Sequence, residues 1–200
     1  MRIAALTAML IAATASAWGA AGLAPSAGRK VTVCMEIGAG EDFGHAKIMA
    51  AEMFARIGVT LEWHRPSRCS SGGLRISLSN RTPEAVRPGA LAYATPYEGT
   101  HIRVFWDRIQ AGTSSSMAAA LLAHVLVHEI THILQGCSHH SATGMMKASW
   151  DSFDFRAMPR MALPFTGEDI ELIYRGMAQR VAGGWQPVTH APGGMEAVVE

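Results

Sequence analysis

The sequence predicts an α+β domain: a mixed four-stranded sheet with one backing helix and one long apolar helix, followed by a small, mostly helical C-terminal part. Three observations predict it. A segment with helical apolar period, Phe43 to Ile57, lies between strand-like runs, two of which alternate apolar and polar side chains. A long apolar run, Met117 to Leu134, is bounded by serines and by Gly136, the punctuation of a helix. The Thr166-Gly167-Glu168-Asp169 opening then introduces a last amphipathic helix.

The chain has 200 residues, of which 49% are hydrophobic, enough for one well-buried core. Seventeen Lys+Arg against sixteen Asp+Glu leave a formal charge of +1. The basic residues are scattered rather than gathered into a stripe, which argues against nucleic acid as a partner.

Met1-Arg2, an apolar alanine-rich run from Ile3 to about Ala13, and the small residues Ala15-Ser16-Ala17 and Trp18-Gly19-Ala20 have the order of a secretory signal peptide. The expected leader spans 1–20, with cleavage after Ala17, Ala20 or Ala24. The run is shorter than the roughly 20 apolar residues of a bilayer span. The mature chain is therefore expected to be secreted or periplasmic, monomeric, and without stable membrane association. Export places the three cysteines where disulfides persist. Cys34, in the first strand, and Cys69, just after the second, are the expected pair, leaving Cys137 as a free thiol; the alternative is that all three are reduced, since connectivity cannot be read from sequence.

The expected domain covers 31–182. Val31 to Ile37 is rich in β-branched residues and ends at Gly38-Ala39-Gly40, a strand and a turn. The following helix repeats Phe43, Ala46, Met49, Ala50, Met53, Phe54 and Ile57 on one face and stops at Gly58. Val59 to Trp63 and Leu74 to Leu78 alternate as the second and third strands. The stretch 80–100, interrupted by Pro83, Pro88, Gly89, Pro96 and Gly99, reads as a long surface loop. His101 to Trp106 is the fourth strand. Serines 114–116 offer N-caps for the apolar helix that Gly136 ends. A weakly helical stretch follows around Trp150 to Arg160. The last helix carries Ile170, Ile173, Tyr174 and Met177 on one face. The tail 183–200 reads as loose.

Inside the apolar helix lies His128-Glu129-Ile130-Thr131-His132. Residues four apart on a helix share a face, so His128 and His132 can hold one ion. Glu129 reaches the side of that ion where a water would sit. A zinc ion acidifies such a water, and a carboxylate can take its proton as it attacks a carbonyl. The plain alternative, a pair of packed histidines with an incidental glutamate, is weakened by the apolar helix, the export signal and further histidines downstream. A catalytic zinc takes a third protein ligand and keeps one position open. His139 and His140 follow Gly136, where the chain can turn back, and either can serve. Glu168 or Glu171 are rivals, although acids at a helix start are favoured by the helix dipole alone. His124, one turn before His128, is read as a packed histidine, since a further ligand would close the open position.

His128-Glu129-Ile130-Thr131-His132-Ile133-Leu134-Gln135-Gly136, followed by His140-Ser141-Ala142-Thr143-Gly144-Met145-Met146, resembles the metzincin clan of zinc peptidases. It resembles more closely a group of short exported bacterial zincin-like proteins with H-E-x-x-H-x-L-x-G, a short spacer, and H-S-x-x-G-I-M. Val104-Phe105-Trp106-Asp107-Arg108 and Phe165-Thr166-Gly167-Glu168 resemble that group too. The resemblance implies a zincin/metzincin-like fold, His140 as third ligand, and Met146 as the residue of a methionine turn beneath the metal. This chain departs from the usual clan pattern in carrying Gln135 and Ser138 where the clan carries its glycine and third histidine, so the choice between His139 and His140 stays open. Met146 has an ordinary reading as well, as one gap-filling methionine among twelve.

The expectation is a zinc-dependent endopeptidase in which Glu129 is base and then acid, with Zn2+ as cofactor and a peptide or protein as substrate. By resemblance, the strand His101 to Trp106 is the sheet edge along which the peptide lies. Two other readings use the same residues. One is a zinc-binding module without turnover, its fourth position blocked by His139, His124 or the Cys137 thiolate. The other is an amidase acting on non-peptide amides.

Overall fold

The first strand, β1 (Arg29–Met35), joins β2 (Val59–His64), β3 (Leu74–Ser79), β4 (Ala92–Ala94) and β5 (His101–Phe105) in a five-stranded sheet of order β2-β1-β3-β5-β4. The computed structural model describes residues 29–35, 41–95, 100–111 and 113–182. The expected leader, the turn 38–40 and the tail 183–200 lie outside the described residues.

β2 (Val59–His64) and β3 (Leu74–Ser79) both run parallel to β1, with Val31 opposite Leu61 and Val33 opposite Leu74. Parallel neighbours need a crossover between them, and α1 (Glu41–Ala55) supplies the one between β1 and β2. Its Phe43, Ala46, Ala50, Met53 and Phe54 are buried, as their spacing predicts, and Gly58 closes the segment at a positive φ of 69°. β5 (His101–Phe105) runs parallel to β3, with Ile76 opposite Ile102 and Leu78 opposite Val104. In these two strands buried Leu74, Ile76, Ile102 and Val104 alternate with exposed Arg75, Ser77 and Arg103, so one sheet face meets the core and the other meets solvent.

Two sequence expectations are corrected here. The stretch 80–100 is not all loop: Ala92–Ala94 forms a short strand, β4, antiparallel to β5, which makes the sheet five-stranded rather than four-stranded. Three residues, two of them alanine, carry too little alternation to read between Gly89 and Pro96. The fourth expected strand also ends one residue early, because Trp106 opens a short helix, α2 (Trp106–Gln110). Consequently β5 lies inside the sheet and β4 is the edge beside it.

The helix α3 (Ser115–Gln135) packs against α1, β4, β5 and α5 (Gly167–Val181). Its Ser114 cap accepts a hydrogen bond from the Met117 amide, and every residue from Ala118 to Gln135 is buried. By length and composition this helix is apolar enough to cross a membrane, yet 94% of its most apolar window is buried inside the protein. It is the core helix. Burying Leu122, Leu126, Ile130 and Ile133 completely contributes about 1.5–3 kcal/mol per side chain. The weakly helical stretch around Trp150 narrows to α4 (Ser152–Ala157), opened by an Asp151–Asp154 capping box.

Cys34 and Cys69 are joined by a disulfide that ties β1 to the turn after Pro66–Arg68. Cys137 is free and half-buried.

Candidate metal centre

The two histidines of the helical motif come from the last two turns of α3, every residue of which is buried there, so the helix itself aims them. His128 is completely buried and His132 nearly so. Gly136 then ends the helix in the left-handed conformation, with φ of 71°, its amide bonded to the His132 carbonyl. That region is one glycine enters without steric cost. It lets the chain leave the helix axis and return, bringing His140 to the pair.

The ligand atoms of His128, His132 and His140 all lie within 4.8 Å of one another. His140 stacks on His128 at 5.4 Å between ring centroids and meets His132 edge-on at 4.8 Å. His139 points elsewhere, its Nε2 lying 3.9 Å from the Glu168 carboxylate. Glu168 and Glu171 are exposed and stand outside the cluster. Among the described residues, the Cys137 thiol and His124 are not part of it either.

The hydrogen bonds of the two helical histidines fix their tautomers. His128 Nδ1 lies 2.9 Å from the Met145 carbonyl, and His132 Nδ1 lies 3.2 Å from the Cys137 carbonyl. A carbonyl only accepts, so each Nδ1 carries the ring proton and each Nε2 presents a bare lone pair. Those two Nε2 atoms face each other at 3.0 Å. Two lone pairs so placed repel unless a cation lies between them. Burial holds both imidazoles far below their ordinary range, His128 at about 4, and the neighbouring histidines push His132 further down. A shared proton is therefore disfavoured at neutral pH, and a metal ion suits the place. Zinc–nitrogen bonds of about 2.0–2.1 Å can bridge nitrogens up to roughly 4 Å apart. Imidazoles whose other nitrogen is tied to a backbone carbonyl are also the usual zinc donors. These residues fit zinc.

Glu129 is completely buried beside His128, and neither carboxylate oxygen makes a hydrogen bond of ordinary geometry. Burial pushes its carboxyl up to about 8, while the nearby Ala94 backbone pulls in the opposite direction. The edge strand β4 thus ends next to the glutamate.

His124 is fully occupied elsewhere: Nδ1 donates to the Ala120 carbonyl at 2.7 Å, and Nε2 accepts from the Leu163 amide at 3.3 Å. Burial lowers it to about 4, so it packs as a neutral ring. Met145 and Met146 are both completely buried. Their turn holds the cluster through its backbone, since the Met145 carbonyl accepts a hydrogen bond from His128 Nδ1–H and the Met146 carbonyl accepts from the Ser141 amide at 2.8 Å.

Several contributors were not legible in the sequence. Trp150 packs edge-on against His128 and His124, at 5.6 and 6.1 Å, walling the cluster. Ala94 comes from the unforeseen strand. Asp169 announces itself only as a helix cap, yet it is a completely buried carboxylate.

No family profile and no curated protein sequence matches the chain. Among solved structures it is similar to archaemetzincin from Methanopyrus kandleri, with a TM-score of 0.53 and 15% identity over 78% of this chain and 99% of that one. A second similarity, to myroilysin, has a TM-score of 0.35 and 17% identity over 72% of this chain and 66% of that one. The first shows the fold; the second is too remote to add to it.

Proposed function

We propose that this chain is an exported zinc-dependent hydrolase of peptide bonds, with His128, His132 and His140 as metal ligands and Glu129 as the general base. One observation carries the reading: two buried imidazoles whose unprotonated nitrogens face each other at 3.0 Å, with a third imidazole beside them and an unsatisfied carboxyl alongside. The fold shared with archaemetzincin supports it. The leader-like start and the Cys34–Cys69 disulfide support export, since such bonds persist in oxidising compartments.

Zinc in this place would polarise a carbonyl and acidify a water molecule. The chain's own residues do the rest. Met145 and Cys137 hold their partner rings through the Nδ1 protons, keeping both Nε2 atoms free as donors. A Glu129 oxygen takes a proton from the attacking water and passes it to the leaving amine nitrogen. A carboxyl raised by burial toward neutral pH is matched to that task, and a cation beside it keeps the ionised form available. Trp150 and the surrounding apolar side chains exclude bulk water. An extended peptide adds to the outer edge of β4, which replaces the inner strand β5 as the platform expected from the sequence.

The test is the metal content of the purified mature chain, as wild type and as His132→Ala, His139→Ala and His140→Ala. The expected result is one zinc per chain, lost with His132 and His140 and kept with His139. A peptide-library assay then follows, with Glu129→Ala as a metal-retaining control that should not turn over. Wild type without zinc after reconstitution would overturn the reading; zinc with no peptide cleaved would return it to a binding module or an amidase.

A further inference from the structure

His140 differs from the other two proposed ligands in riding on irregular chain between Gly136 and Gly144, where no helix aims it. Something else must hold it. The next residue, Ser141, is tied at both ends of its own structure: its amide donates to the Met146 carbonyl at 2.8 Å, and its hydroxyl donates to Asp169 Oδ1 at 2.7 Å.

Asp169 sits at the start of α5, where its Oδ2 accepts from the Thr166 amide at 2.8 Å while the Thr166 hydroxyl accepts from the Asp169 amide. Capping explains one oxygen of that carboxylate and not the other. The same capping box opens α4, where the corresponding Asp154 stays partly exposed and pairs with Lys147. In α5 the carboxylate is instead completely buried, with its second oxygen committed to Ser141. Its backbone carbonyl also lies 3.5 Å from the side-chain amide of Gln135, the last residue of α3. Burying a carboxylate is costly unless its lone pairs are met, so a cap alone does not account for this position.

We propose that Asp169 is a positioning residue for the metal centre: through the Ser141 hydroxyl it fixes the chain carrying His140, and so sets the third ligand from the start of α5. This rests on the ligand assignment proposed above. His128 and His132 belong to α3 and stay aimed without it, so losing the tie loosens one ligand of three.

The experiment measures zinc affinity by chelator competition, the visible spectrum of the cobalt-substituted protein, and the thermal stability of the metal-free protein. The set is wild type, Ser141→Ala, Asp169→Asn and Tyr174→Phe. Tyr174 anchors α5 to the segment after α1, through its hydroxyl to the Ile57 carbonyl at 2.6 Å, and serves as the structural control outside the hydrogen bonds to Ser141. Ser141→Ala and Asp169→Asn should each weaken zinc about 10- to 100-fold, the range for outer partners of metal ligands, and alter the cobalt spectrum. Tyr174→Phe should lower stability and leave zinc affinity within about twofold of wild type. Should Asp169→Asn fail to fold, Ser141→Ala breaks the same bond from the more exposed side and decides alone. Wild type that binds zinc while Ser141→Ala binds it equally tightly overturns this proposal and spares the ligand assignment. Wild type that binds no metal overturns both.

Discussion

Replacing Gly144 by alanine perturbs the turn that holds His128 without touching any proposed ligand. Gly144 has φ of +76°, and a Cβ built on it would lie 2.2 Å from the Pro164 carbonyl oxygen. That oxygen accepts the Met145 amide at 2.8 Å, and the Met145 carbonyl accepts the His128 Nδ1 proton. Left-handed backbone costs a residue with a Cβ about 1–2 kcal/mol. Relieving the contact requires the carbonyl to move by roughly an ångström, which breaks its bond and leaves a buried amide unsatisfied for about 1–3 kcal/mol more. The total is about 2–5 kcal/mol. In a domain of this size that is a melting temperature lower by roughly 4–20 °C. Urea unfolding and calorimetry of the metal-free protein measure it. A loss below about 1 kcal/mol would mean that the turn accommodates a side chain, and the argument that it fixes His128 would fail. Where the variant folds, weaker zinc binding should accompany the lost stability, because His128 loses its orienting carbonyl.

Acid should destabilise the protein partly through His124. Its folded pKa is lowered from 6.5 to about 4, mainly by burial, so the neutral ring is favoured in the fold and the unfolded chain binds the extra proton. The contribution is fully present above pH 6.5 and is lost as pH falls toward 4. At about 1.4 kcal/mol per pH unit, wild type should lose about 2 kcal/mol by pH 5 relative to His124→Gln; parallel stability–pH curves for the two proteins would refute this. Removing the Cys34–Cys69 bridge, which spans a sequence separation of 35, should lower stability by about 4 kcal/mol through loop entropy. Denaturant unfolding of a Cys34→Ala/Cys69→Ala variant checks it, and a loss below about 1 kcal/mol would exclude a structural role for the bond.

Elements with a repeating side-chain pattern were legible in the sequence. The period of α1 ran over Phe43, Ala46, Ala50 and Phe54, and alternation located β3 to within a residue at its end. What failed was short or non-local. β4 is three residues long, and its strand conformation comes from pairing with β5 rather than from its own sequence. Trp106 continued an apolar run in the sequence, but its backbone opens α2 and its ring packs against Phe43 at 4.7 Å between centroids. Within the site, spacing on a helix exposed His128, Glu129 and His132. The decision between His139 and His140 depends on how the chain leaves Gly136, which adjacent residues cannot reveal. Asp169 was visible as a cap and invisible as a partner of Ser141, because hydrogen bonds across 28 positions leave no local trace.

The burial of α3 on every side bears on how an ion would come and go. His128 and His132 have almost no solvent face, whereas His140 is the partly exposed member of the trio. An ion would therefore reach the centre from the His140 side rather than through the core helix.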